Sequence, residues 1–194
     1  MEQSIHQQLS DYIVANQRDF YRLAYSYVKN RDAALDVVQE SYIAALEHLD
    51  TLKNPEAFLP WLYQITANRC KKHYRRQSRL AEAPQDAEDG RDYFDTLPET
   101  DEKLLPESVL DSAGTRELVL QLVDELPIVQ RECVLLYYFS GLTVEQIAQV
   151  QECSVGTVKS RLNYGRQKLR EGVLAMEDRD GIRLHTLVPM GLLF

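Results

Sequence analysis

A cluster of cationic and hydroxyl side chains between Ser154 and Arg170 is the group in this sequence best suited to bind a polyanion. The stretch contains five Lys/Arg and no carboxylate. Lysine and arginine bind phosphates, while guanidinium, hydroxyl and amide groups can bind base edges in a DNA major groove. The candidate DNA-contacting residues are Ser154, Thr157, Lys159, Ser160, Arg161, Asn163 and Arg166.

Two predicted helices position this cluster as a helix-turn-helix. Thr143 can cap the first helix, with Gln146 as its capping-box partner, and Ser154 can cap the second. The second helix has apolar residues at three- and four-residue steps, namely Val155, Val158, Leu162 and Leu169. The pattern fits a helix that enters a major groove, and it also fits an ordinary amphipathic surface helix.

A second basic segment precedes this one in the chain. Residues 57–81 contain six Lys/Arg and no Asp or Glu, and Pro60 is expected to kink or restart their helix. Phe58 and Trp61 are expected to anchor its first half in a core. The basic second half can follow a nucleic-acid strand and stack on unpaired bases. The candidate residues there are Asn68, Arg69, Lys71, Lys72, Tyr74, Arg75 and Arg76.

An acidic stripe lies on the helix predicted at Ala33–Leu49. Four of its residues recur at i, i+3, i+4 and i+7 on one face, namely Asp36, Gln39, Glu40 and Ile43. This face is either solvated or a docking surface for a basic helical partner. A helical region is predicted before it, over about Ile5–Val28, with Asn30 as its stop and Asp32 as the cap of the next helix.

The net charge of −8 is unevenly distributed along the 194 residues. Residues 82–111 contain eleven Asp/Glu against Arg91 and Lys103, together with proline and glycine, as in a linker. The sequence therefore predicts an all-α protein of two small helical domains, 1–80 and 114–176, joined by an acidic linker, 81–113. The tail, 177–194, is expected to cover the second domain's core, dock a regulator or act as an autoinhibitory plug.

Several classes of function are excluded by composition and spacing. Three cysteines, an odd number without paired spacing, argue against a disulfide framework and for a reducing compartment. Cys70 and His73 are too few ligands for a metal site. No catalytic constellation, cofactor site or small-molecule substrate is predicted. Without a signal peptide or an apolar run long enough to insert into a membrane, the protein is expected to be cytoplasmic.

Three motifs give the chain a family resemblance. DVVQESY at 36–42 carries an Asp-x-x-Gln-Glu core, PWLYQITANRCKKHYRR spans 60–76, and a helix-turn-helix domain spans 125–171. In this order, over about Gln17–Glu171, they resemble an extracytoplasmic-function (ECF) sigma factor of the bacterial RNA polymerase sigma family. Gln151 and Glu152 stand where that family commonly has an apolar residue and glycine.

The resemblance implies three partners. Asp36, Gln39 and Glu40, with Ile43, would bind the clamp helices of core RNA polymerase, whose flap is a further expected contact. The loop Leu49–Glu56 and the basic helix would hold the −10 promoter strand, and the helix-turn-helix would recognise the −35 element. The linker would occupy the channel later taken by nascent RNA. An anti-sigma factor is the third implied partner.

Two alternatives remain open at this point. A helix-turn-helix transcriptional regulator could bind an operator as a dimer, with residues 1–80 as a sensor or oligomerisation module and without joining core polymerase. Such a regulator would need neither the acidic stripe nor the basic helix at 66–76. A helical RNA-binding enzyme subunit is supported by the basic patches alone.

Overall fold

The computed structural model describes the backbone of residues 2–54, 57–81 and 113–180, and the side chains of residues 6–54, 57–76 and 118–176. Every regular element in these ranges is helical, which confirms the all-α prediction. No helix within the ranges is long and apolar enough to cross a membrane. The predictions for residues 82–112 and for 181–194 lie outside the described residues.

The described helices follow one another in a simple order. The helices of the N-terminal half are α1 (Glu2–Ala15), α2 (Gln17–Val28), α3 (Arg31–Glu47) and α4 (Phe58–Ala81), with a 3-10 turn at Leu49–Thr51. Those of the C-terminal half are α5 (Ala113–Glu125), α6 (Ile128–Val134), α7 (Val144–Gln151) and α8 (Val155–Asp180), and a π-helical segment at Leu135–Phe139 follows α6. The chain divides into two compact units: residues 1–90 with 145–153, and residues 91–144 with 154–194.

The core of the first unit is an aromatic cluster held between α2, α3 and α4. Phe20 and Tyr63 are fully buried and stack with their ring centroids 4.6 Å apart. Tyr42 meets Phe20 edge-on at 5.6 Å, and Tyr12 meets Phe20 and Phe58 at 6.3 and 5.8 Å. Such pairs stabilise a core by about 0.5–1.5 kcal/mol each beyond the burial of their area. The cluster therefore fixes the angle at which α3 and α4 present their outer faces.

The helical region predicted over about Ile5–Val28 consists of two helices, α1 and α2, which are separated at Asn16. The Asn16 side-chain amide donates a hydrogen bond to the Tyr12 carbonyl at 2.8 Å, and its backbone leaves the helical region at φ −115°, ψ 19°. A side chain that occupies a helical carbonyl in this way competes with the backbone ladder. The apolar spacing continues across the break, so periodicity alone does not reveal it.

The cap of α3 also differs from the prediction. Asn30, expected to end the preceding helix, accepts a hydrogen bond from the Ala33 N–H at 3.0 Å and so caps α3 in place of Asp32. Lys29 ends α2 in the left-handed conformation at φ 50°. Asp32 lies in the first turn of α3, where a carboxylate interacts favourably with the helix dipole.

In the second unit, α8 packs against α5 and α6 at very short range. The side chains that line this contact on α8, namely Val158, Leu162, Leu169 and Val173, are at most 2% exposed. A Cβ atom added at Gly165 would lie 2.8 Å from Cγ2 of Val134 and 3.7 Å from Cδ1 of Leu126. Only glycine fits there without displacing a neighbour.

Gly165→Ala is therefore expected to destabilise the protein by about 1 kcal/mol, since overpacking of roughly 1–3 kcal/mol exceeds the helix propensity gained. Gly156 provides a matched control on the same helix, because its added Cβ would meet only the Ser154 hydroxyl at 3.6 Å. Gly156→Ala should raise stability by roughly 0.5–1 kcal/mol. Urea unfolding measures both changes, and a stabilising Gly165→Ala would contradict the close packing.

Burial of Tyr138 makes the stability of the fold sensitive to alkaline pH. Its side chain is 4% exposed, and burial raises its pKa from 10.0 to about 12; Arg166 opposes the shift and Tyr137 adds to it. Between these values the folded state keeps the proton that the unfolded state loses. Stability should therefore fall as pH rises from 10 to 12, by about 1.4 kcal/mol per pH unit for this group. In Tyr138→Phe this contribution to the pH dependence of stability should be absent. Denaturant unfolding measured at several pH values between 10 and 12 checks this expectation. Parallel profiles for the two proteins would contradict the assignment.

Candidate nucleic-acid interface

The acidic stripe lies on the outer face of α3, where its side chains are exposed to solvent. Asp36, Gln39 and Glu40 are exposed, and Ile43 is 56% exposed. Two further apolar side chains on this surface, Leu35 and Leu46, are 42% and 49% exposed. Carboxylates around exposed aliphatic groups are suited to a partner that is itself basic and apolar. Sequence spacing did not identify Leu35 and Leu46, because leucine is normally assigned to the core.

One contact links this face to the basic helix. Arg69 Nη1 lies 3.4 Å from Glu40 Oε2, and their side chains are 34% and 62% exposed. An ion pair with this exposure contributes little to stability, about 0–1 kcal/mol. Its significance is geometric, because it joins a residue predicted to bind a protein partner with one predicted to bind DNA.

On α4 the cationic residues do not all point the same way. Asn68, Lys72 and Arg75 are exposed and follow one another at i, i+4 and i+7, which places them along one line opposite the buried Leu62, Thr66 and Cys70. This line, Asn68–Lys72–Arg75, is called the α4 stripe below. Arg76 is exposed and Lys71 is half-buried, on opposite flanks of the stripe.

Aromatic residues of α4 divide between core and surface. Phe58 and Trp61 are half-buried and contact each other with ring centroids 6.4 Å apart, while the fully buried aromatic residue of this helix is Tyr63. Tyr74 is 37% exposed and packs edge-on against Tyr27 at 6.4 Å. One edge of its ring is thus in contact with the core, and part of the ring is exposed to solvent.

Cys70 and His73 of α4 are by themselves too few ligands for a metal site. Cys70 is buried, and His73 Nδ1 is buried without a hydrogen-bond partner in the described part of the chain. Among the described residues no group of three or more His, Cys, Asp or Glu could hold a metal ion.

Ser154 caps α8 as predicted from its position. Its Oγ accepts a hydrogen bond from the Thr157 N–H at 3.0 Å and lies 2.9 Å from the Thr157 hydroxyl. From this start the buried line Val158–Leu162–Leu169 faces the core, and the candidate residues occupy the remaining circumference. Lys159 is exposed, whereas Ser160, Arg161, Asn163 and Arg166 are partly exposed.

The candidate residues on α8 differ in how far they face solvent. Arg166 has a buried Nε atom without a hydrogen-bond partner among the described residues, so its stem lies along the core.

Tyr164, not predicted from spacing, is 42% exposed, and Lys168 Nζ lies 6.0 Å from its ring centroid. A 2.8 Å hydrogen bond from Lys168 to Glu171 raises the pKa of Lys168 and lowers that of Glu171.

The turn that follows α7 closes without glycine. Glu152 itself adopts the left-handed conformation at φ 55°. Its N–H donates to the Gln149 carbonyl at 3.3 Å and the Cys153 N–H to the Ala148 carbonyl at 3.1 Å. These are the two hydrogen bonds of a Schellman motif, in which glycine is the usual left-handed residue. The chain thus keeps the turn despite the substitution noted in the sequence.

Glu152→Gly should therefore stabilise the protein, because a left-handed residue with a Cβ costs about 1–3 kcal/mol and glycine does not. After the entropy cost of glycine is subtracted, the expected gain is roughly 0.5–1 kcal/mol in urea unfolding. Gln149→Gly is the matched control, since it places glycine at an exposed position inside α7 and should cost about 1 kcal/mol. A loss of stability with both variants would contradict strain at Glu152.

Comparison with known proteins covers both units. Sigma-70 region 2 matches residues 12–80, and Sigma-70 region 4 matches residues 116–169. RNA polymerase sigma factor SigV of Bacillus subtilis (strain 168) is 34% identical over 166 residues, which cover 86% of this chain and 90% of that protein. The chain belongs to the ECF sigma factors. The ECF RNA polymerase sigma-E factor of Escherichia coli (strain K12) is 31% identical to it over 157 residues, 81% of this chain and 82% of that protein.

Solved structures agree on the fold of the sigma factor. It resembles the sigma factor RpoE, solved with the anti-sigma factor NepR from Bartonella quintana, with a TM-score of 0.60 and 22% identity over 87% of this chain and 98% of that one. CnrH, solved with the cytosolic domain of CnrY, gives a TM-score of 0.57 and 22% identity over 90% of each chain. The resemblance inferred from the three sequence motifs is confirmed.

Membership in this family decides between the functions considered. The protein is a non-enzymatic initiation factor that binds core RNA polymerase, recognises promoter DNA and starts transcription. An operator-binding dimeric regulator is not favoured.

Proposed function

We propose that the sigma factor divides its task among three surfaces, each on one helix. The outer face of α3 binds the clamp helices of core polymerase through Asp36, Gln39, Glu40 and Ile43. On α4, the basic residues hold the unpaired −10 strand, and on α8 the outward residues recognise the −35 element. The observation that carries the proposal is the separation of charge, with an acidic and apolar face on α3 and cationic faces on α4 and α8.

Exposure of the α3 face supports its role in docking. Ile43 is 56% exposed at the centre of the acidic stripe, and Leu35 and Leu46 extend the apolar surface on one side. An exposed cluster of this kind is unfavourable in water and gains by contact with a partner. Carboxylates around it would select a basic partner and orient it.

The −10 assignment is supported by the α4 stripe and by Tyr74. Asn68, Lys72 and Arg75 form one exposed line about 10 Å long, since seven residues of helix rise about 1.5 Å each. Cations along such a line can follow a strand backbone, and the partly exposed ring of Tyr74, on another side of α4, can stack on an unpaired base. Arg69, Lys71 and Arg76 would add charge from the flanks.

For the −35 element, support comes from the cap and the exposure pattern of α8. Ser154 fixes the first turn, and Thr157, Lys159, Ser160, Arg161, Asn163 and Arg166 follow within the next three turns. The first turns of a recognition helix are those that contact base edges. Arg161 and Lys159 can bind phosphates or guanine, and the hydroxyls can form shorter bonds.

The proposal also covers the limits of the domains, the control of the sigma factor and its location in the cell. Residues 1–80 and 114–176 would act as the two binding domains, 81–113 as a linker in the RNA channel, and 177–194 as a regulatory or covering tail. Two proteins of similar fold were solved with a partner, the sigma factor RpoE with the anti-sigma factor NepR and CnrH with the cytosolic domain of CnrY. An anti-sigma factor is therefore proposed to control this sigma factor in the cytoplasm.

Run-off transcription with purified core polymerase tests the function as a whole. Genomic fragments from the bacterium that encodes the chain are transcribed with core polymerase alone, with the sigma factor added, and with a form lacking the tail, residues 177–194. Discrete transcripts that require the sigma factor are expected from a small subset of fragments. Changes in their yield on removal of the tail would assign it a regulatory role.

A contrary result is easily recognised. If the purified chain fails to join core polymerase but binds a duplex operator tightly as a dimer, it acts as a regulator. Size-exclusion chromatography with core polymerase, followed by footprinting of the free chain on the same fragments, separates the two outcomes.

A further inference from the structure

The outward face of α8 contains a row of side chains that the cationic residues do not occupy. With 3.6 residues per turn, the line opposite the buried Val158, Leu162 and Leu169 passes through Thr157, Ser160 and Tyr164. This row of three, Thr157–Ser160–Tyr164, is called the central row. Gln167 continues it by one turn, and the carboxylate of Glu171 ends the surface available to DNA.

Cationic residues of α8 lie on either side of the central row. Arg161 and Lys168 follow one flank, and Lys159, Arg166 and Arg170 follow the other. When a helix lies in a major groove, its central line meets the base edges and its flanks meet the phosphates of the two strands. By its position, the central row therefore faces the bases.

Tyr164 differs chemically from the other two members of the row. Thr157 and Ser160 have short hydroxyl side chains, whereas Tyr164 presents an aromatic ring that is 42% exposed. Lys168 Nζ, held 2.8 Å from Glu171, lies 6.0 Å from the ring centroid, and attraction between the cation and the ring favours one ring position. In a major groove the apolar feature that such a ring can contact is the C5-methyl group of thymine.

We propose, on the basis of the proposed function, that Tyr164 is a specificity-determining residue that recognises one thymine of the −35 element through contact of its ring with the C5-methyl group. The hydroxyl of Tyr164 is not required for this contact. Arg161 and Lys159 bind the phosphates on the two sides and set the depth of the helix.

The test begins with selection from a promoter library whose −35 element is randomised, using holoenzyme with the wild-type sigma factor or with Tyr164→Ala. Wild-type holoenzyme should select thymine at one position where the variant shows no preference. At that position, thymine is replaced by deoxyuridine, which lacks only the methyl group. Wild-type affinity should fall about fourfold, the factor for burying one methyl group, and affinity of the variant should not change.

Three further variants make the result specific. Tyr164→Phe keeps the ring and should behave as the wild type, whereas Tyr164→Gln replaces the ring by a shorter polar side chain and should behave as Tyr164→Ala. Gln167→Ala, one turn further on the same face, is the matched control and should keep the sensitivity to deoxyuridine. Circular dichroism of each variant verifies that α8 is formed.

Several results would overturn the proposal. Unchanged base preferences in Tyr164→Ala, or a loss of preference in Tyr164→Phe as large as in Tyr164→Ala, would exclude a methyl contact through the ring. So would a wild-type holoenzyme that binds thymine and deoxyuridine equally. If wild-type holoenzyme selects no upstream sequence at all, the proposed recognition of the −35 element by α8 is wrong. The assignment of Tyr164 is then wrong as well.

Discussion

Replacing both Asp36 and Glu40 by lysine is expected to abolish binding of the sigma factor to core polymerase while the protein stays folded. Both side chains are exposed on α3, so the fold does not depend on their charge. A basic partner that faces two new lysines meets like charges, and such contacts cost several kcal/mol. The expected loss of affinity is therefore more than about 100-fold, measured by fluorescence anisotropy with labelled sigma factor.

A matched control separates this effect from a change in net charge. Asp11→Lys with Glu125→Lys reverses the same number of exposed carboxylates on α1 and α5, and it should leave core binding within about threefold of wild type, as expected of charges outside an interface. The Glu40 change also removes the 3.4 Å ion pair with Arg69. An ion pair this exposed contributes at most about 1 kcal/mol to the stability of the fold. If the α3 variant still supports promoter-specific transcription, the docking face lies elsewhere.

Replacing Lys72 and Arg75 by alanine is expected to have the second-largest effect, on promoter opening. Both residues belong to the α4 stripe and are exposed. Loss of two phosphate contacts to a single strand should lower the salt slope of open-complex formation by about 1.4. Open complexes at moderate salt should fall more than about tenfold, as measured by permanganate reactivity of unpaired thymines at several salt concentrations.

The first unit also offers two cations that lie outside the stripe. Arg18 and Arg31 are exposed near the starts of α2 and α3, and replacing both by alanine removes the same charge. This control should keep the wild-type salt slope. Binding to core polymerase should be unchanged in both double variants. If the control lowers the salt slope by the same amount, α4 acts only through net charge.

Much of the positioning of the site follows from local patterns in the chain. The cap at Ser154 and the apolar spacing after it predict which side of α8 is buried, because a cap and a period of 3.6 residues together determine a helix's start and its faces. The same reasoning places Asp36 and Glu40 on a common face of α3. The residues that determine these faces of α8 and α3 lie within two or three helical turns of one another.

Other features depend on contacts that a local pattern does not contain. The Glu40–Arg69 pair joins residues 29 positions apart, and it exists only because the aromatic core sets the crossing of α3 and α4. Tyrosine occurs both in cores and on surfaces, so spacing did not distinguish the buried Tyr63 from the exposed Tyr164. At Asn16 a side-chain hydrogen bond to the Tyr12 carbonyl accompanies a break between two helices that the apolar periodicity does not reveal.

The stacked rings of Phe20 and Tyr63 have a consequence for which substitutions the protein can tolerate. Because they support both α3 and α4, a substitution beneath them would be pleiotropic, affecting attachment to polymerase and strand separation together. The side chains of the central row of α8 face away from their own hydrophobic interior, so mutations there carry little penalty in folding. Changes of promoter specificity through α8 are therefore expected to cost little stability, whereas substitutions of Phe20 or Tyr63 are expected to cost much more.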